Sequence, residues 1–383
     1  MNVGYEMIYL DYNATAPIRP AAKAAMLAAL DVCGNASSIH GAGRRARALI
    51  EDARANVAAL AGADPRSVIF TSSGTEANAA VLKGATGVAR ILISAIEHDS
   101  VRANARAVAE SMPCIELLEI PVTADGVVDV SALRALLKGG KGRALVCVMA
   151  ANNETGVVQP VEAIAGLAKE FGALLHVDAV QAAGRMALGF DADYLTLSAH
   201  KLGGPQGAGA LIVKDDAPFA PLIAGGGQEL NRRAGTENVA AIAGFGAAAE
   251  ATKEYESENA RMTALRNGFE TKLKVLAPDA VVFGANAPRL ANTSNFAIPG
   301  LTAETAIIAL DLDGVAVSSG AACSSGKVGR SHVLAAMAIL DEISCCGLRV
   351  SFGWASTEQD VDAAIASLKT LLECRGARAR AAA

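Results

Sequence analysis

Short, nearly unbroken apolar runs punctuate the first part of this chain, and each stops at a cluster of polar residues. They are Val68-Ile69-Phe70, Ile91-Leu92-Ile93 and the stretches 145–149, 174–177, 194–197 and 210–213. A strand with one wet face alternates apolar and polar residues. Runs without that alternation suit strands covered on both faces. The segments between the earlier runs read as helices, as at residues 161–171. Strands alternating with helices imply an α/β arrangement around a largely parallel sheet. In such sheets ligands sit beyond the carboxyl ends of the strands. The polar residues that close each run are therefore the candidates for chemistry.

The pattern changes near residue 250. A long polar helix is expected over residues 253–275, as a connection between domains, and shorter strands over 293–298 and 349–352. A strand is also expected at the start, Ile8-Tyr9-Leu10. The last helix opens at Thr357, with Asp360 completing a start like a capping box. Val361, Ile365, Leu368 and Leu372 then form one apolar stripe. The alanine-rich end, residues 375–383, is expected to be loose. A chain of 383 residues exceeds what one hydrophobic core spans, so two domains are expected.

Composition removes several classes. Hydrophobic residues make up 52% and charged residues 19%, which does not describe a disordered chain. The net charge is -5 and no Lys/Arg cluster dominates a face, so the electrostatic footprint of nucleic-acid binding is missing. Seven cysteines without a CxxC pair do not make a disulfide scaffold, and no metal-ligand spacing joins them to the five histidines. Cys345 and Cys346, adjacent near an expected strand, read as non-catalytic. No export signal or membrane-spanning run is visible, which makes the cytoplasm the expected location.

The strand ends supply the chemistry. Ser72-Ser73-Gly74-Thr75-Glu76 follows the first run and opens a helical pattern, where free N–H groups and the helix dipole favour a phosphate. Glu97-His98, Asn152-Asn153-Glu154-Thr155-Gly156, and Asp178 with Gln181 close the next three. Ser198-Ala199-His200-Lys201, followed by Gly203-Gly204-Pro205-Gln206-Gly207, closes another. Each alone also fits an ordinary capped turn or a structural strand end; together they converge on one sheet edge. Desolvation of a strand-end lysine lowers its pKa and makes a better amine nucleophile toward a carbonyl. An aldehyde cofactor bearing a phosphate would use that lysine and the phosphate loop together. A buried aspartate would keep its ring nitrogen protonated. A dinucleotide fingerprint is missing around residues 203–209. Residues 320–327 fail as a P-loop, because five residues separate the glycines and Val328 stands where Ser or Thr is needed.

Further motifs run in order along nearly the whole chain. They are Tyr9-Leu10-Asp11-Tyr12-Asn13-Ala14-Thr15-Ala16-Pro17, Gly34-Asn35-Ala36-Ser37-Ser38-Ile39-His40, His176-Val177-Asp178-Ala179-Val180-Gln181, Arg233-Ala234-Gly235-Thr236-Glu237-Asn238 and Ser318-Ser319-Gly320-Ala321-Ala322-Cys323. With the strand-end motifs, they resemble the class V aminotransferase-fold cysteine desulfurases, in particular the NifS/IscS-like group. Ala321 stands where a serine is common in that family, and Ala36 where a proline is common. Neither change removes a group that the chemistry needs.

The resemblance implies fold type I of the pyridoxal-phosphate enzymes: a large domain with a mostly parallel seven-stranded sheet and a smaller α+β domain. The implied division is 16–252 for the large domain, and 1–15 with 253–383 for the small one. It implies pyridoxal 5'-phosphate as cofactor, L-cysteine as substrate, a homodimer, and a sulfur-acceptor or scaffold protein as partner. Lys201 matches the Schiff-base lysine, Asp178 the partner of the pyridinium nitrogen, and Gln181 the amide facing the ring oxygen. His98 matches the imidazole that stacks on the ring and moves protons. Gly74, Thr75, Ser198 and His200 match phosphate contacts, and Thr236 a phosphate contact from the second subunit. Asn153 and Arg349 match the substrate-carboxylate site. Cys323 matches the sulfur-accepting cysteine, and the small residues around it suit a mobile loop. The implied reaction turns L-cysteine into L-alanine, leaves a persulfide on Cys323, and supplies sulfur for iron–sulfur clusters or other thio-cofactors. A selenocysteine lyase or another class V enzyme is the alternative.

Overall fold

A computed structural model describes residues 7–319 and 330–382 of the chain. The strands in chain order are β1 (Ile8–Tyr9), β2 (Val68–Thr71), β3 (Arg90–Ser94), β4 (Glu116–Ile120), β5 (Ala144–Met149), β6 (Leu174–Asp178) and β7 (Tyr194–Ser198). They continue as β8 (Gly209–Val213), β9 (Val281–Val282), β10 (Thr293–Ala297), β11 (Val315–Ala316), β12 (Ser318–Ser319) and β13 (Gly347–Ser351). A seven-stranded sheet has the order β2-β8-β7-β6-β5-β3-β4. Strands β4, β3, β5, β6 and β7 run parallel, while β8 is antiparallel to both of its neighbours. This is the expected α/β fold of type I.

The apolar runs account for the sheet. Side chains alternate between faces along a strand, and here both faces are covered. Leu92, Val146, Val148, Leu175 and Val177 enter one hydrophobic core. Ile91, Ile93, Leu145, Cys147 and Leu174 enter another. Each fully buried Leu, Ile or Val contributes roughly 1.5–3 kcal/mol, so the strand ends sit on a rigid base. Strand β4 was not among the expected runs. As an edge strand it keeps Glu116 and Glu119 exposed, and so lacks a continuous apolar signature.

A four-stranded sheet, β12-β13-β10-β9, carries a separate core. Its antiparallel strands are covered by the helices Tyr255–Leu276, Ala303–Leu312 and Glu358–Ala382. Phe269 packs between Phe296 and Phe352, with ring centroids 5.3 and 6.4 Å away. Leu10 joins this core, and β1 pairs in parallel with β11. The last helix opens as expected: the Asp360 carboxylate accepts the Thr357 amide at 2.9 Å. Val361 and Leu368 are buried, and Ile365 and Leu372 pack against the same core. The end of the chain departs from expectation, because this helix continues to Ala382. Alanine and arginine are strong helix formers, and the helix already under way needs no new nucleus.

Candidate active site

A cavity of about 430 Å3 opens beyond the carboxyl ends of β5, β6 and β7. It is lined by the expected residues Gly74, Thr75, His98, Asn153, Asp178, Gln181, Ser198, His200, Lys201 and Arg349. Three of the lining residues, Met149, Asp178 and Ser198, are the last residues of those strands.

One wall is the start of the helix Gly74–Gly84. Ser73 caps it by accepting the Glu76 amide at 3.1 Å, and Glu76 reaches back to accept the Ser72 amide at 2.7 Å. The first amides of a helix have no acceptor within it, which leaves Gly74 and Thr75 to offer N–H groups to an anion. The loop sits close against β8. A Cβ on Gly209 would lie 2.5 Å from the Ser73 carbonyl carbon and 2.9 Å from the Gly74 nitrogen. Ser198 and His200 border the same corner. Burial, then the neighbouring Lys201, pushes the His200 imidazole down to about 4.

Asp178 ends β6 and is buried. Its Oδ2 accepts from the Asn78 amide at 2.8 Å and its Oδ1 from the Val180 N–H at 2.9 Å. Asn78 also donates to Ser100 Oγ at 2.9 Å. His98 caps the helix Asp99–Ser111, and its Nδ1 accepts the Ser100 amide at 3.1 Å. An accepting Nδ1 carries no proton, so the neutral ring bears its proton on Nε2. Behind these residues Glu97 is fully buried. Its Oε1 accepts the Met149 amide at 2.7 Å, and Oε2 has no partner among the described residues. Burial, then the nearby Asp178, raises this carboxyl well above the usual carboxylate range.

Lys201 follows β7 in a single turn of 3-10 helix. Its Nζ donates to the carbonyls of Asn13 and Ala14 at 2.6 and 2.7 Å. Burial, then Arg349 and Arg185, lowers the amine to about 7, against the opposing pull of Asp11 and Asp178. Near neutral pH the amine is thus partly unprotonated, as attack on a carbonyl requires. Gln181 donates from Nε2 to the Asn13 carbonyl at 3.0 Å and accepts on Oε1 from Arg185 at 2.6 Å. Arg349, on β13, donates to the Asn153 carbonyl at 2.9 Å and pairs with Asp11 at 2.6 Å. Two of its five N–H donors are therefore engaged.

Two expected residues stand apart. Thr236 is exposed and is not among the residues lining the cavity of this single chain. Cys323 lies outside the described residues, although Ser318, five positions before it, borders the cavity. Asp11, Asn13, Asn78, Ser100 and Arg185 were given no role from sequence. Asp11 and Asn13 lay inside a quoted motif, which was the only signal available. Asn78 and Ser100 sit within helices, and Arg185 in the turn beyond β6, where nothing in the local pattern marks them.

A residue set of this kind fits pyridoxal phosphate. It offers a poised amine, a buried carboxylate on its own side of the cavity, free helix amides and a guanidinium with donors to spare. Comparison with known proteins identifies the family. The family model for class V aminotransferases matches residues 8–364. An IscS-like cysteine desulfurase from Mycobacterium tuberculosis is 40% identical, over 98% of this chain and 98% of its own. The cysteine desulfurase IscS of Dictyoglomus turgidum is 38% identical, over 96% of this chain and 94% of its own. Among solved structures, a NifS-like protein from Rickettsia africae superposes with a TM-score of 0.88 at 36% identity, over 96% of this chain and all of that one. The chain belongs to the class V aminotransferase family, within its NifS/IscS-like cysteine desulfurases.

Proposed function

We propose that this protein is a pyridoxal-phosphate-dependent cysteine desulfurase, which converts L-cysteine to L-alanine and passes the sulfane sulfur to Cys323. The observation that carries the proposal is Lys201. Its amine is lowered to about 7 in the same cavity that holds Asp178 and Arg349. The relatives named above bear cysteine desulfurase names, which favours this reading over a selenocysteine lyase.

In this reading Lys201 would hold the cofactor through its aldehyde, and Asp178, itself held in place by Asn78 and Val180, would keep the ring nitrogen protonated. Gly74, Thr75, Ser198 and His200 receive the phosphate. Thr236 comes from a second copy of the chain. Bound pyridoxal phosphate supplies an electron sink for the pair released when a bond at the substrate's α-carbon breaks. Arg349 and Asn153 orient the substrate carboxylate. Lys201 would take up the α-proton, and His98 would offer its Nε2 proton near the departing sulfur. The Cys323 thiolate attacks the substrate sulfur, an S–S bond forms as the C–S bond breaks, and the carbon takes a proton. One thiol and one cysteine thus give one persulfide and one alanine. The domain division at residues 16 and 252, a cytoplasmic setting and a sulfur-accepting partner protein belong to the same proposal.

The test measures alanine and sulfide released from L-cysteine with a reductant. Cys323→Ala should keep the bound, coloured cofactor yet release neither product above background. Sulfide release at the wild-type rate would show that Cys323 is not the sulfur carrier.

A further inference from the structure

Arg185 is a buried guanidinium that forms no ion pair among the described residues. Its donors go to neutral oxygens: Gln181 Oε1 at 2.6 Å, the Gln181 carbonyl at 3.1 Å and the Lys201 carbonyl at 3.2 Å. Its own carbonyl accepts from Asn259 Nδ2 at 2.6 Å, which ties the turn to the helix Tyr255–Leu276. A buried charge without a counter-charge is costly, and a fold that keeps one calls for an account.

The account lies in Gln181. The two ends of an amide look alike in shape but not in chemistry. On one side stands Arg185, which can only donate. On the other stands the Asn13 carbonyl, which can only accept. Both neighbours demand the same orientation, with Oε1 toward Arg185 and Nε2 toward Asn13. The second Nε2 hydrogen has no acceptor among the described residues, and Gln181 lines the cavity. The cavity thus meets a donor at this point and not an acceptor.

We propose that Arg185 is a positioning residue: it locks the Gln181 amide so that a hydrogen-bond donor faces an anionic oxygen on the ring of the bound cofactor. The proposal rests on the pyridoxal-phosphate reading above. The charged groups around Lys201 are Arg185, Arg349, Asp11 and Asp178, with His200 beside it in sequence. Charge from Arg185 alone would also bear on the cofactor, so the test must separate charge from orientation.

The experiment is a pH titration of the visible absorption of the cofactor-loaded protein. Without Arg185 only the Asn13 carbonyl holds the amide, which can then turn its spare N–H away from the ring oxygen; losing that donor favours the protonated form, so Arg185→Met should titrate about one pH unit higher than wild type. Arg185→Lys, which still only donates, should stay near wild type. Gln181→Ala should move the titration up as well, because it removes the donor and adds no charge; this arm stands even if Arg185→Met does not fold. In a Gln181→Ala background, Arg185→Met should add little. A titration unmoved in both Arg185→Met and Gln181→Ala would overturn the proposal. So would a full additional shift in the Gln181→Ala background, since Arg185 would then act by charge alone. A wild-type protein that takes up no pyridoxal phosphate would instead sink the functional reading on which the proposal stands.

Discussion

Glu97 illustrates how a buried group behind the site couples to pH. Its folded carboxyl is raised above the ordinary value, by burial and then by Asp178. Below the ordinary carboxylate range both folded and unfolded chains hold this proton. As pH rises through that range the unfolded chain releases it first, and the folded state loses stability. Glu97→Gln mimics the protonated acid: its carbonyl can still accept the Met149 amide, and its far end is no less satisfied than the acid's. In the cofactor-free protein this variant should melt higher than wild type at pH 8 and close to it at pH 5. Melting curves that differ equally at both pH values would contradict the assignment. Lys201 shares the leading cause, burial, but has the opposite slope. Its folded amine titrates near 7, so between there and the ordinary lysine value the unfolded chain binds more protons and stability rises with pH.

At the scale of elements, the helix Gly74–Gly84 and strand β8 form one device. The loop carrying Ser73 and Gly74 approaches the β8 backbone too closely for any side chain at Gly209. Gly209→Ala should therefore push the amides proposed to bind phosphate out of line while leaving the sheet paired. Retention of pyridoxal phosphate should weaken by at least about tenfold, equivalent to about 1.4 kcal/mol, as read by equilibrium dialysis, with little change in circular dichroism. Unchanged retention would mean that the loop is not the phosphate site. The elements themselves were mostly legible: wherever a strand is covered on both faces, its apolar run announces it. Edge strand β4 was not, because exposed glutamates interrupt its run. The end of the last helix was missed because alanine-rich sequence suits helix and loose tail alike until a preceding helix decides the matter. In the site, residues at strand ends could be read because topology gathers those ends. Asn78 and Arg185 could not, since their importance comes from what the fold places beside them.

At the scale of the whole molecule, the segment leading to Thr236 bears on assembly. Glu229, Leu230 and Asn231 take left-handed backbone conformations, with φ of 47, 56 and 64°, which costs non-glycine residues energy. The Glu229 carboxylate holds the segment, accepting from both terminal nitrogens of Arg54 at 2.8 and 2.9 Å and from the Phe70 amide at 2.9 Å. Such anchoring suits a segment that must present Thr236 outward to a neighbour. If each site takes Thr236 from the other copy, Thr236→Ala and Lys201→Ala chains each fail alone to retain the cofactor as wild type does. A mixed dimer of the two regains one intact site. Recovered cofactor retention and activity after subunit exchange is the expected result. No recovery, with exchange verified by mass, would argue against a shared site.

Residues 11–14 reach deep into this cavity. The carbonyls of Asn13 and Ala14 hold Lys201, Asp11 holds Arg349, and the Asn13 amide donates to Ser351 Oγ, 338 positions away. Synthesis makes that strip long before β13. The strip must therefore wait for most of the chain before it finds its place. A chain made only as far as β12 carries Lys201 and the Ser73–Gly74 loop but lacks Arg349, the proposed grip for the substrate carboxylate. The cavity is complete only once β13 has been made.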